Sequence, residues 1–103
     1  MQHEFEISAH RKRWVATSDF PLIWRNLDAD EYVVYSIASG DTHLLNEVTA
    51  EVLRQLERSV VDFPELARNV ANSLGTDLDQ QTETYVAKLL VYLDQIGLVE
   101  SVK

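Results

Sequence analysis

The run from Glu31 to Leu56 constrains the fold of this chain more than any other stretch. It begins with Tyr32-Val33-Val34-Tyr35-Ser36-Ile37, breaks at Ser39-Gly40, returns through Thr42-His43-Leu44-Leu45 and meets Asn46. β-Branched and aromatic residues on both arms of a Ser-Gly break are the pattern of a β-hairpin. Gly40 supplies the positive φ that a two-residue loop demands, without a Cβ clash. Such a loop sets Ile37 opposite Thr42, Tyr35 opposite Leu44 and Val34 opposite Leu45. Past Asn46 the period changes from strand-like to helical, and the Asn46 side chain is placed to accept from a free backbone N–H of the first helical turn. One segment thus predicts a hairpin and the start of a helix at Glu47. Both Val34/Leu45 and Val33/Tyr35/Leu44 are apolar, so either face of the hairpin can point inward.

Upstream, Leu22-Ile23-Trp24-Arg25-Asn26-Leu27 has the composition of a strand, and Asp28-Ala29-Asp30-Glu31 makes an acidic turn. The middle of the chain therefore predicts a three-stranded antiparallel meander joined by tight turns. Residues 1–20 are read as a variable N-terminal arm or an extra strand. Phe5 and Ile7 alternate there with Glu4, Glu6 and Ser8, Arg13-Trp14-Val15-Ala16-Thr17 is a candidate short strand, and Thr17-Ser18-Asp19 breaks the pattern. Pro21 biases Phe20 toward an extended conformation.

Downstream the periodicity is helical three times. About Glu47 to Arg58, one face holds Thr49, Val52, Leu53 and Leu56, and Glu51, Arg54 and Glu57 lie opposite. A second helix starts at Asp62, with Glu65 three residues on in a capping-box arrangement and Pro64 in the first turn, where its missing donor costs nothing. Its stripe is Leu66, Val70, Ala71 and Leu74, and Gly75 closes it in a left-handed cap. A third begins near Asp77 or Asp79 and ends at Ile96, with Gly97 as its cap and Val86, Leu89, Leu90, Leu93 and Ile96 as its stripe. Leu98-Val99 resumes an extended path. The predicted architecture is α+β and winged-helix-like, an N-terminal three-stranded antiparallel β-meander followed by a three-helix bundle, in a single domain over residues 1–103.

A chain of 103 residues with 46% hydrophobic content can fill one core, burying roughly two-thirds of its unfolded surface. Without cysteine, packing alone must stabilise it. The net charge of −8 opposes contact with nucleic-acid phosphates. Against that trend, His10-Arg11-Lys12-Arg13 holds three of the nine Lys and Arg residues; a solvated arm or strand edge is the favoured reading, and a contact for phosphate or an acidic partner the minority one. Met1 to Ser8 carries acidic residues and no long apolar core, unlike a signal peptide, and no apolar run approaches the ~20 residues of a membrane span. The expectation is a soluble, cytoplasmic protein with neither nucleic-acid nor membrane partners.

Residues for catalysis are sparse. His3, His10 and His43 lack the i,i+4 spacing of zinc-binding pairs. The three glycines at 40, 75 and 97 are each explained as a turn or cap, which leaves none for a phosphate loop. The serines lack a nucleophile-elbow context, and helical carboxylates fall on outer faces or first turns, where they favour the helix dipole. The chain is therefore read as a non-enzyme without cofactor or metal, and His43 foremost as an ordinary strand histidine. Two surfaces stand out instead. Tyr85, Lys88, Tyr92 and Gln95 recur along one flank of the third helix, and tyrosine, with an apolar ring and a polar tip, suits the wall of a half-dry groove; sealing the core edge is the equal alternative. The strand Thr42 to Leu45, if at a sheet edge, offers unpaired N–H and C=O groups to an added strand.

Together, Trp24-Arg25-x-Leu27, Glu31-Tyr32-Val33-Val34-Tyr35 and Ser39-Gly40-Asp41-Thr42-His43-Leu44-Leu45-Asn46 resemble the PqqD-like proteins. Val52-Leu53-x-x-Leu56, Pro64-Glu65-Leu66 and Leu93-x-x-Ile96-Gly97-Leu98-Val99-Glu100 continue the likeness, which covers about residues 22–101. More narrowly, the chain is similar to the PqqD-type peptide chaperones of the HPr-rel-A system. This resemblance implies a recognition element for a ribosomally made precursor peptide. Its leader would be held as an extra strand in a groove shared with the third helix and presented to a peptide-modifying enzyme. Carried onto this chain, the peptide-binding residues are Thr42, His43, Leu44, Leu45, Tyr85, Lys88 and Tyr92. The basic arm and Trp14 fall outside the shared pattern and stand where they could cover that edge.

Three readings follow. The first is a non-catalytic adaptor that binds an extended peptide by strand addition. The second is a winged-helix DNA-binding regulator, opposed by Asp77, Asp79, Glu83 and Asp94 against the lone Lys88 of the third helix. The third is a homodimer whose edge strands pair with each other.

Overall fold

The computed structural model describes residues 9–10, 12–17, 22–28 and 30–102. In chain order its elements are β1 (Arg13–Ala16), β2 (Ile23–Asn26), β3 (Glu31–Tyr35), β4 (Thr42–Asn46), α1 (Glu47–Arg58), β5 (Val61–Asp62), α2 (Phe63–Leu74), α3 (Gln80–Gln95) and β6 (Val99–Val102). The strands form two antiparallel three-stranded sheets, ordered β2-β3-β4 and β5-β1-β6. The fold is α+β.

The β2-β3-β4 sheet is the expected meander, with a corrected hairpin. Tyr35 pairs with Thr42, Val34 with His43, Val33 with Leu44 and Tyr32 with Leu45, two residues away from the register that a two-residue loop would give. The loop is longer because serine hydroxyls satisfy its open backbone. Ser36 N–H donates to Asp41 O at 2.9 Å and Gly40 N–H to Ser36 O at 2.7 Å. Ser39 N–H and Asp41 N–H donate to the hydroxyls of Ser36 and Ser39, the local bonding that favours serine in turns. Gly40 keeps its positive φ of 79° in this longer turn. A shift of two preserves strand parity, where a shift of one would have turned every side chain over. Val34 and Leu45 are the inward residues, both buried, and Val33, Tyr35 and Leu44 face outward.

The second sheet corrects the expected order of strands first and helices after. β5 lies between α1 and α2, β6 follows α3, and β1, between them, is the centre of the sheet. Of the two readings of the N-terminal segment, the extra strand is the one found, at Arg13–Ala16 within the candidate Arg13–Thr17. Trp14 is buried and its Nε1–H donates to Ala9 O at 3.2 Å. The His10 ring stacks on Phe63 at 4.2 Å, Phe63 N–H donates to Lys12 O, and Thr17 Oγ1 donates to Gly97 O at 2.7 Å. Lys12 and Arg13 are exposed, but Arg13 opens the central strand, paired with Asp62 on one side and Val102 on the other, so it is neither on a free arm nor at a strand edge. The expectations for Met1–Ser8, Arg11, Ser18-Asp19, Phe20-Pro21 and Ala29 lie outside the described residues.

The helices follow their sequence signals. Asn46 caps α1 through Thr49 N–H at 2.9 Å, Asp62 caps α2 through Glu65 N–H at 2.9 Å, and Asp79 caps α3 through Thr82 N–H at 2.8 Å. Gly75 ends α2 in the left-handed conformation. Val52, Leu53, Leu56, Leu66, Val70, Val86, Leu90 and Leu93 are fully buried and join both sheets in one core. Leu74 departs from its predicted stripe: as the last residue of α2, with the chain turning away at Gly75, it is 48% exposed.

Candidate functional site

The four strand candidates divide by face. Leu45 is buried, and His43, opposite the fully buried Val34, points the same way. The His43 Nε2 is buried with no hydrogen-bond partner. Thr42 and Leu44 face outward, and Leu44 is 58% exposed. On that outer face two rows run across the sheet, Ile23–Tyr35–Thr42 and Arg25–Val33–Leu44. Ile23, Tyr35 and Leu44 are all exposed there, so the meander turns an apolar surface to solvent.

Among the described residues β4 pairs with β3 alone, and its other backbone edge carries no strand. Within the N-terminal segment that could have covered it, Arg13–Ala16 pairs with β5 and β6.

The helix candidates are exposed but distribute differently. Tyr85 and Lys88 line a groove of about 690 Å3 at the α2–α3 junction, with Leu74, Thr76, Asp79 and Thr82 among its other walls. Neither Tyr92 nor any β4 residue lines it. The backbone N–H of Thr82, and next its hydroxyl, hold the Asp79 carboxyl below its ordinary pKa, so the α3 end of this groove carries a negative charge at neutral pH.

A second cleft, of about 510 Å3, runs between α1 and α2 beside Tyr32. Arg54 stacks its guanidinium over Trp24 at 4.5 Å and over Tyr32 at 4.9 Å, while the two rings meet edge-on at 6.4 Å. Trp24 Nε1–H donates to Glu57 Oε1 at 2.9 Å, and Asn69 Nδ2–H donates to Gln55 Oε1 at 3.0 Å across the two helices. Helical periodicity placed Arg54 and Glu57 on a solvated face. Their cross-element partners were hidden because the sequence left open which face of the meander points inward, and with it whether Trp24 and Tyr32 face α1.

Among the described residues no group of three His, Asp or Glu side chains is arranged to hold a metal, and no helix is long and apolar enough to cross a membrane. No protein family, curated protein or solved structure matches this chain.

Proposed function

We propose that the chain is a non-catalytic peptide adaptor, in which an extended guest segment adds as a fourth strand beside β4. The observation that carries this reading is the β4 edge, which no other strand among the described residues pairs with, in a sheet whose outer face, around Leu44, is already apolar. Backbone hydrogen bonds supply much of the affinity, and guest side chains at alternate positions meet the Thr42/Leu44 face and the His43/Leu45 face in turn. The resemblance to PqqD-like proteins makes the guest the leader of a ribosomally made precursor and the recipient a peptide-modifying enzyme in the cytoplasm. It also makes α1, β5, α2, α3 and β6 a winged-helix-like unit whose third strand is supplied by β1. Tyr85, Lys88 and Tyr92 then select sequence along the helix flank. The DNA-binding alternative is disfavoured by charge: α3 carries Glu83 and Asp94, is capped by Asp79, and has Lys88 as its one cation.

The test is a calorimetric titration with leader peptides encoded beside the gene, each made also with single N-methylated backbone amides. Strand addition requires methylation to weaken binding at every second position only, and Leu44→Lys with Tyr92→Ala to weaken it at least tenfold. Absence of saturable binding, or tolerance of methylation throughout, refutes the reading.

A further inference from the structure

The α1 wall of the second cleft presents a charge pattern that inverts when read from its other end. Glu47, Ala50, Glu51, Arg54, Gln55 and Arg58 all line that cleft, and their spacing of three and four residues puts them along one helix face. The two acids stand four residues apart, as do the two arginines, so each neighbouring i,i+4 pair is like-charged, an arrangement that weakens a helix by itself. Glu47 in the first turn and Arg58 in the last favour the helix dipole, but no side chain among the described residues pairs with either. Among the described residues Glu47, Glu51 and Arg58 are in no ion pair, and Arg54 is held by aromatic rings rather than by a carboxylate. Glu57, the nearby acid, accepts instead from Trp24.

We infer that this face docks a second copy of the same chain, with the two α1 helices antiparallel about a two-fold axis. An axis passing at the level of Val52 and Leu53 sets Glu47 against Arg58 of the second copy and Glu51 against Arg54. The same axis generates the reciprocal contacts, as an isologous interface requires. Both pairings come from one axis position. A parallel arrangement would oppose acid to acid and arginine to arginine, so the charge order selects the antiparallel one. The open cleft leaves room beside α1 for the long arginine side chains of the mate, and Asn72 and Ser73 line it as further hydrogen-bonding groups. None of these residues belongs to β4, so this surface is distinct from strand-to-strand pairing.

Exposed ion pairs are individually weak, so the association is measured by sedimentation equilibrium up to about 1 mM chain. Near physiological ionic strength a Debye length of about 8 Å screens the general repulsion between two acidic copies. The native chain dimerises. Glu47→Arg and Arg58→Glu, made separately at exposed positions, each weaken self-association at least tenfold, because both symmetry-related contacts become repulsive. Mixing the two variants restores dimers, since both contacts are again complementary in the heterodimer. A native chain that stays monomeric overturns the proposal, as does a variant that dimerises as well as the native chain, or a mixture no better than its components. Should a reversal fail to fold by circular dichroism, Glu47→Gln and Arg58→Gln replace the pair. Each then weakens native association, mixing regains one of the two Glu47–Arg58 contacts in the heterodimer, and unchanged association overturns the proposal.

Discussion

Asn46 and His43 sit three residues apart on one strand and affect its stability in opposite directions. Asn46 ends β4 and caps α1, its side-chain oxygen accepting from Thr49 N–H at 2.9 Å. Asn46→Ala leaves that first-turn donor unpaired, and is expected to cost about 1 kcal/mol, read as a lower urea midpoint with unchanged slope. His43 buries a ring nitrogen that has no partner, although a buried polar atom left unsatisfied costs roughly 1–3 kcal/mol. His43→Leu, similar in volume and without that atom, is expected to raise stability by about 1 kcal/mol in the same measurement. A fall on His43→Leu would mean that the ring packs better than its orphaned nitrogen costs. The cap was legible in the sequence because it is local: Asn before a helical period has one use. The orphan was not, because it depends on which residue of β3 lies opposite, and the hairpin loop proved longer than its Ser-Gly break suggested.

At the scale of elements, signals of short range were legible and signals of long range were not. The three helices, their caps and the β2-β3-β4 meander all lie within contiguous stretches whose periods can be read directly. In the β5-β1-β6 sheet, β1 and the start of β6 were legible singly, but not β5 nor the pairing of the three. β5 is two residues long, β6 reads Val-Glu-Ser-Val, and the strand that joins them comes from more than forty residues before either. Trp14, the aromatic of the candidate strand Arg13–Thr17, is the residue that anchors β1 in the core. Trp14→Ala is therefore expected to cost about 3–5 kcal/mol, the range for emptying a large aromatic site, as a lowered thermal midpoint. Deleting residues 1–17 should abolish the cooperative transition, because β5 and β6 both lose their only strand partner among the described residues. A truncated chain that melts cooperatively near the native temperature would restore the reading of that segment as an arm. The candidate site shows the same division: the β4 edge was accessible from the hairpin pattern, while the grouping of Tyr85 and Lys88 with Leu74, away from Tyr92, required the angle between α2 and α3 across the link from Gly75 to Asp79.

For the whole molecule, a net charge of −8 acts on any partner before contact is made. On the proposed reading, a neutral or basic guest is drawn toward the chain and an acidic one repelled, and this long-range attraction acts chiefly on the rate of encounter. Once the guest lies along β4, backbone hydrogen bonds and the apolar surface around Leu44 hold it, and neither responds strongly to dilute salt. The two steps are therefore separable by ionic strength. For a cationic peptide that binds the edge, raising salt from about 0.02 to 0.2 M shortens the Debye length from roughly 20 Å to 7 Å. The association rate should fall severalfold while the dissociation rate stays nearly constant, as stopped-flow fluorescence would record. An equal salt effect on both rates would instead place direct ion pairs in the bound complex. Lys88 and the acids beside it on α3 would then be the first positions to substitute, because they are the charged groups on the flank assigned to sequence selection.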